Sequence, residues 1–406
     1  MALGDGVRRN IAHVDPSERA LLREALIELN KRFFPGTRTD LPPGGVSWWF
    51  KQDEIHQATH VHGGPEFLPW HREIVNRFED MLRDVDSRLS LHYWDWTQDP
   101  RSIPGGNLGN GTGTLNLFTT GFMGYGGSTP APIGEPWLTA GYYVPAAVNF
   151  RSTNPFDPVN NNPADPPREV IRSVAGSPAT AAEDEAIIAA PDYASMRVSL
   201  EGVHNRMHGF VNMGGQHVSF RDPFVFLLHS NVDRLLAMWQ TAPGHPQRLD
   251  PDRVYVSDGA EPSQMDDAIR PWSGNPPTTR PWAPPENEQV VKTYKHPSVV
   301  QPRPYDTLPP RLLQAEGRLS FLRVHDPGTR FGPPTDQLDV EVVARLDSTP
   351  GQAFGFQLRP DHNEAARRGM LDVLRNAFNE DRRVRIDHLR PVGANNSTVI
   401  RVARVN

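Results

Sequence analysis

Glu54-Ile-His-Gln-Ala-Thr-His-Val-His-Gly-Gly-Pro-Glu-Phe-Leu-Pro-Trp-His-Arg-Glu73 sets four histidines, His56, His60, His62 and His71, within sixteen residues. The stretch is flanked by helical pattern. A helix is predicted from Val46 to about Ala58. Another begins near Leu68-Pro69-Trp70, where Ile74, Val75, Phe78, Met81, Leu82 and Val85 recur at three- and four-residue spacing. The histidines therefore sit on or between two helices that each have a face to bury.

A second group lies about 130 residues further on, as His204 and His208 in Leu200-Glu-Gly-Val-His-Asn-Arg-Met-His208 and His229 in Asp222-Pro-Phe-Val-Phe-Leu-Leu-His229. His204 and His208 are four apart on a predicted helix spanning about Ala190 to Asn212, so both rings leave the same face one turn apart. His229 belongs to a further helical segment, from Asp222 to Trp239, and can close a third bond across a bundle core. One such pair is commonly a surface or core feature. Two clusters of at least three imidazoles, with no cysteine beside them, point to metal. All-imidazole ligation suits copper, zinc, iron or nickel, and spacing does not choose among them.

Composition narrows the class. The chain has 406 residues, enough for two or three domains, and 48 acidic against 42 basic residues give a formal charge of −6. That balance argues against nucleic acid or an anionic membrane as the main partner. Apolar runs such as Phe224 to Leu228 fall far short of the roughly 18 residues of a spanning helix. The absence of cysteine removes disulfides, thiolate metal sites and cysteine nucleophiles together. No apolar h-region follows Arg8-Arg9, so no signal peptide is read and cytoplasmic residence is the expectation, with export alongside a partner protein left open.

Outward from the histidines, Asp15-Pro16-Ser17-Glu18 reads as a helix start, followed by the stripe Leu21, Leu22, Ala25, Leu26, Leu29. Residues 97 to 168, rich in Gly, Asn, Pro and Thr, are expected as a long packed loop, and the proline-rich stretch 271 to 310 as a linker draped over the surface. Beyond it, 339–346, 353–358, 384–388 and 397–402 read as strands, with one helix at about Asn363 to Asn379. The expected fold is mainly α, a four-helix-bundle metal core with long Gly/Pro-rich loops spanning 1–295. A small β-rich (α+β) domain follows over 296–406, its proline-rich lead-in included.

Several tracts resemble the CuA and CuB signatures of the tyrosinase family of type-3 copper proteins. They are Phe67-Leu-Pro-Trp-His-Arg72 with His62 nine residues before His71, His204-Asn-x-x-His208, Asp222-Pro-x-x-x-x-x-His229 and Val232-Asp-Arg-Leu235. His92-Tyr-Trp-Asp-Trp96 resembles the aromatic tract that follows CuA in that family, and the likeness spans about residues 10 to 240. It implies two copper ions, the first on His56, His62 and His71, with His60 a rival for His56, and the second on His204, His208 and His229. It also implies that Asn205, with Glu201 as the best-placed glutamate, holds a water that deprotonates an incoming phenol, and that Arg72 and Asp233 support the ligands. The resemblance also places Leu228 and Gly209 in the substrate pocket: Leu228 stands where many members have a second histidine, so Leu228→His is expected to alter substrate preference more than copper content, and Gly209 leaves open space where some place a bulkier, substrate-steering side chain.

The function so implied is oxidation of o-diphenols or o-aminophenols to quinonoid products with O2 as co-substrate, monophenol hydroxylation (a monooxygenase activity) remaining open. The text around Trp48 to His56 and the Leu228 departure look closest to bacterial o-aminophenol oxidases. A non-catalytic O2 carrier similar to a hemocyanin unit would use the same six ligands, and a binuclear zinc hydrolase is a distant alternative. The expected partner is a small phenolic or aminophenolic substrate, with an oligomer contact or a copper-chaperone protein open.

Overall fold

The computed structural model describes residues 3–32, 48–59, 61–119, 121–124, 176–211, 219–256, 262–273, 291–325, 340–358, 363–391 and 394–405. These form two compact units, Met1–Thr307 and Leu308–Asn406.

The first unit is built on helices. α1 (Pro16–Lys31) starts as its sequence predicts: the Asp15 carboxylate accepts from the Ser17 amide at 2.9 Å, and Pro16 occupies the first turn, where no amide proton is needed. α2 (Trp48–Thr59) and α3 (Phe67–Val85) follow, joined by the short loop that carries His62. α3 buries its apolar stripe and also Arg72, Glu73, Asn76 and Glu79, so its first half, 67–76, is enclosed, while Asp80 and Asp84 are exposed. A hairpin of β1 (Ile103–Asn107) and β2 (Thr112–Leu115) comes next. α4 (Ala181–Ala189) opens with a reciprocal cap in which the Thr180 and Glu183 side chains each accept from the other's backbone amide. α5 (Tyr193–Val211) and α6 (Phe224–Gln240) complete the core, and α6 is buried along almost its whole length. α3 and α6 meet at Phe78 and Phe226, whose rings stack with centroids 3.5 Å apart. The aromatic tract after α3 packs inward: Trp94 and Trp96 are fully buried, and the Trp96 indole donates to Asp184 at 2.7 Å. Among the described residues no helix is long and apolar enough to cross a membrane.

Three sequence expectations change here. The long loop predicted over 97–168 contains the β1–β2 hairpin, its pattern blurred by Gly105, Gly106, Gly111 and Gly113; residues 125–175 lie outside the described residues. The stretch 271–310 is not a draped linker where it is described. After the four-residue α7 (Pro262–Met265), the segment 291–307 carries α8 (Pro297–Val300) and packs into the first unit, burying Val299, Val300 and Tyr305. The units therefore divide after residue 307 rather than 295.

The second unit is a closed five-stranded barrel in the order β3-β4-β5-β7-β6, with strands β3 (Arg311–Val324), β4 (Val342–Leu346), β5 (Ala353–Phe356), β6 (Arg383–Arg390) and β7 (Asn396–Arg404). α9 (Glu364–Asn379) covers one side through Leu374 and Ala377. β3 closes the barrel by pairing with β6 along its first half and β4 along its second. Sequence reading misses β3 because its apolar residues do not alternate cleanly: Leu312 and Phe321 face outward, while the inward positions include Ala315 and Gly317. A Cβ on Gly317 would come within 2.5 Å of Asp347 Oδ1 and 2.6 Å of Ser348 Oγ, so those side chains would have to shift.

Candidate metal centre

Six histidines from the first unit converge as two triads, His56/His62/His71 and His204/His208/His229, each offering one nitrogen per ring within 4.8 Å of the others. Four helices and one loop supply them: α2 gives His56, α3 His71, α5 both His204 and His208, and α6 His229, while His62 comes from the loop between α2 and α3. In the first triad the ring centroids lie 5.2 to 5.6 Å apart. In the second, His204 Nε2 is 2.9 Å from His208 Nε2 and 3.0 Å from His229 Nε2. The triads face each other, with His71 stacked on His229 at 4.9 Å and His62 on His204 at 6.3 Å. His60, the rival for His56, lies outside the described residues; His56 is in the cluster.

Backbone hydrogen bonds set the tautomers. His71 Nδ1 lies 2.7 Å from the Phe67 carbonyl and His229 Nδ1 2.9 Å from the Val225 carbonyl. A carbonyl only accepts, so each Nδ1 carries the proton and each Nε2 presents its lone pair inward. His204 Nδ1 sits 3.0 Å from Asn205 Oδ1, which favours the same tautomer. Burial, reinforced by the neighbouring rings, holds His71, His204 and His229 well below the usual histidine range and brings His208 down to about 3. These imidazoles are neutral at pH 7, the state that binds a metal.

The residues fit a pair of metal ions on grounds independent of any resemblance. His71 Nε2 is buried, points into the cluster and has no hydrogen-bond partner, a costly state for a polar atom unless it donates to something else. Three like nitrogens, two of them within 3.0 Å of the third as in the second triad, are poor mutual hydrogen-bond partners but a ready metal cage. The donor set is all imidazole, suited to copper or zinc.

Among the described residues, exposure around the cluster is uneven. His56, His71, His204 and His229 are buried to about 1% exposure, whereas His62 and His208 are half-buried, with Gly63, Asn205 and Gly209 exposed beside them. A Cβ on Gly209 would meet nothing within 4 Å, so that position opens onto free space. Leu228 is fully enclosed in the helical core, so a side chain there meets its packing neighbours before it meets a substrate. Glu201 is buried, and both its oxygens are engaged: Oε1 accepts from the Gly63 amide at 2.7 Å and Oε2 from Arg197 at 3.0 Å. A water shared by Glu201 and Asn205 would use only the hydrogen-bonding capacity these contacts leave.

Arg72 and Asp233, expected to support the ligands, are bonded to each other and cross-link α3 with α6. Asp233 also accepts from Arg8 at 2.9 Å and from the Tyr305 hydroxyl at 2.7 Å, and Arg8 pairs with Glu79 at 2.5 Å. Arg8, Glu79 and Tyr305 escaped the sequence reading because single residues near position 8 and position 305 carry no local pattern. Phe220 escaped it too. Its ring packs on His56 at 4.4 Å and on His229 at 4.9 Å, touching one member of each triad. The only local signal was its place two residues before the Asp222-Pro223 helix start.

A helical core presenting two facing three-histidine sites defines a binuclear metal protein. Comparison with known proteins points to a family: residues 46–242 match the common central domain of tyrosinase, and this part of the chain is similar to the tyrosinase family of type-3 copper proteins. That family uses a binuclear copper centre with O2, and the two triads are the residues here that could hold it. A tyrosinase of Streptomyces antibioticus is 28% identical over 294 residues, covering 67% of this chain and 94% of the relative. An A-type hemocyanin of Enteroctopus dofleini is 26% identical over 280 residues, 66% of this chain but 20% of that much longer protein. Among solved structures, a polyphenol oxidase of Thermothelomyces thermophila shares the fold with a TM-score of 0.50 at 21% identity, over 73% of this chain and 85% of that one.

Proposed function

We propose that the protein is a copper oxidase that uses O2 to convert o-diphenols or o-aminophenols to quinonoid products, with His56, His62 and His71 holding one copper and His204, His208 and His229 the other. The observation that carries this reading is the face-to-face placement of the two triads. When bound, a copper pair would supply the two-electron chemistry with O2.

The chain's own residues do the rest. Phe67 and Val225 carbonyls hold two rings in the binding tautomer. Buried Phe67, Phe220 and Trp70 wall the inner side against water. His62 and His208 are the less buried ligands, with Asn205 and Gly209 exposed beside them, and Gly209 sets no steric limit there. The balance is two substrate molecules losing two protons and two electrons each, and one O2 becoming two waters. We assign Asn205, exposed at the opening, and the capacity left on Glu201 to holding a water that takes the hydroxyl proton.

Copper content, absorption and oxygen uptake test the reading together. Two coppers per chain, an intense near-ultraviolet band on adding hydrogen peroxide, and O2 consumption with catechol or o-aminophenol are expected. Uptake with tyrosine would add monophenol hydroxylation. The band without uptake on any substrate would favour O2 carriage of the kind the hemocyanin similarity suggests. No copper and no band after reconstitution would sink the proposal.

A further inference from the structure

His62 is the one histidine of the six that no helix holds, and α5 grips its loop at two points. The Tyr193 hydroxyl donates to the Pro65 carbonyl at 2.7 Å, and Glu201 Oε1 accepts from the Gly63 amide at 2.7 Å. Gly63 directly follows His62 and has φ +74°, a left-handed conformation that glycine adopts without strain and that turns its N–H toward α5. Arg197, one turn before Glu201, holds the second carboxylate oxygen at 3.0 Å, and the pair is about nine-tenths buried.

These contacts lie on a single face. At about 100° per residue, Tyr193, Arg197, Glu201, His204 and His208 fall within an arc of about 80° on α5. One stripe therefore carries two ligands of the second triad in its C-terminal half and the fastenings of the first triad's loop in its N-terminal half. A charge-assisted bond from a carboxylate to a backbone amide is among the stronger kinds, and it is sheltered here. A loop anchored only by its ends would leave His62 to sample many positions, and metal binding would have to order it.

We propose that Arg197 and Glu201 form a strut on the Gly63 amide that positions His62, so that α5 sets the first metal site as well as the second. Both are positioning residues in this role. The inference rests on the reading of His62 as a metal ligand, but the strut is a property of the metal-free chain and can be measured there.

Hydrogen exchange of the peptide spanning residues 61–66 in metal-free protein, and release of copper from copper(I)-loaded protein to a chelator, test it in Glu201→Ala, Glu201→Gln and Arg197→Met. Glu201→Ala removes the acceptor, so exchange should quicken about ten- to a hundred-fold, and one of the two coppers should leave at least about tenfold faster than the other. Glu201→Gln keeps an oxygen for the Gly63 amide and should return both readings to within a few-fold of the wild type. Arg197→Met should give smaller changes in the same direction. A merely structural role would lower stability without separating the two coppers. Unchanged exchange in Glu201→Ala would overturn the strut, as would faster exchange with both coppers released at wild-type rates. If Glu201→Ala fails to fold, the contrast between Arg197→Met and Glu201→Gln carries the same decision. A wild-type chain that binds only one copper overturns the ligand reading alone, and the exchange rates still judge the strut.

Discussion

His71 and His229 belong to different triads, yet their rings stack with centroids 4.9 Å apart and planes within 7° of parallel. Each ring is fixed from behind by the carbonyl four residues earlier on its own helix, and the two helices are fixed to each other by Arg72 and Asp233. The spacing between the two sites is thus set by the packing of α3 on α6, before any metal arrives.

From that independence follows a selective effect of ligand removal. His208→Ala deletes a half-buried ring at the opening and leaves α5 and α6 in place, so the metal-free fold should change by no more than about 1 kcal/mol. Copper content should fall from two to one per chain, and O2 uptake on catechol should disappear. Metal analysis beside an oxygen-electrode assay checks this; turnover in a one-copper variant would contradict the paired-site reading.

Phe220 contacts a ring from each triad, so its shape matters to both sites. Phe220→Ala would open a cavity costing about 3–5 kcal/mol and would confound any functional reading. Phe220→Leu keeps most of the volume and should cost under about 1.5 kcal/mol. Its expected signature is faster loss of both coppers to a chelator with little change in urea midpoint. Equal release rates in Phe220→Leu and wild type would show that the ring is filler rather than a brace.

Leu228 shows how the structure alters an expectation. Read from sequence, it replaces a histidine beside the metal and should steer substrate choice. It is fully enclosed among apolar side chains, so Leu228→His would desolvate an imidazole there. The expected result is a stability loss of about 1–3 kcal/mol, with copper content retained. Chemical unfolding of the metal-free variant gives the first quantity and metal analysis the second. An unchanged midpoint with altered relative rates on catechol and o-aminophenol would restore the substrate-steering role.

Much of the helical unit was legible because helix signals are local. Asp15-Pro16 capped α1 as its residue types require, and the three- and four-residue stripe of α3 named its buried face. The two triads were legible because histidines are few and clustered. What escaped was held by distant pairs or by packing. Arg8 and Tyr305 are nearly three hundred residues apart, yet they share one carboxylate, and no window of sequence contains both. β3 was hidden because its inward positions include Ala315 and Gly317, which alternation of large apolar residues does not announce. The hold of Glu201 on Gly63 was equally invisible, because a glutamate on a helix reads as solvated until its partner loop is placed.

Asp233 makes the sharpest stability prediction. Burial alone would push its carboxyl up, but Arg72 and Arg8, with bonds from Arg72 and Tyr305, outweigh burial and hold it below the usual carboxylate range. Asp233→Ala would leave Arg8 and Arg72 enclosed with less compensation and should cost about 3–5 kcal/mol, more than Asp233→Asn, which keeps an acceptor. The pH dependence follows from the sign of the shift. A depressed folded-state value means the unfolded chain takes the proton first on acidification. Stability from this group is therefore fully present above about pH 4, the ordinary carboxylate value, and is lost as pH falls through the lower folded value. Unfolding midpoints of metal-free wild type and Asp233→Asn, measured from pH 7 down to pH 3, should converge as pH drops below 4. Parallel curves across that range would show that the carboxylate's charge contributes nothing to holding α3 against α6.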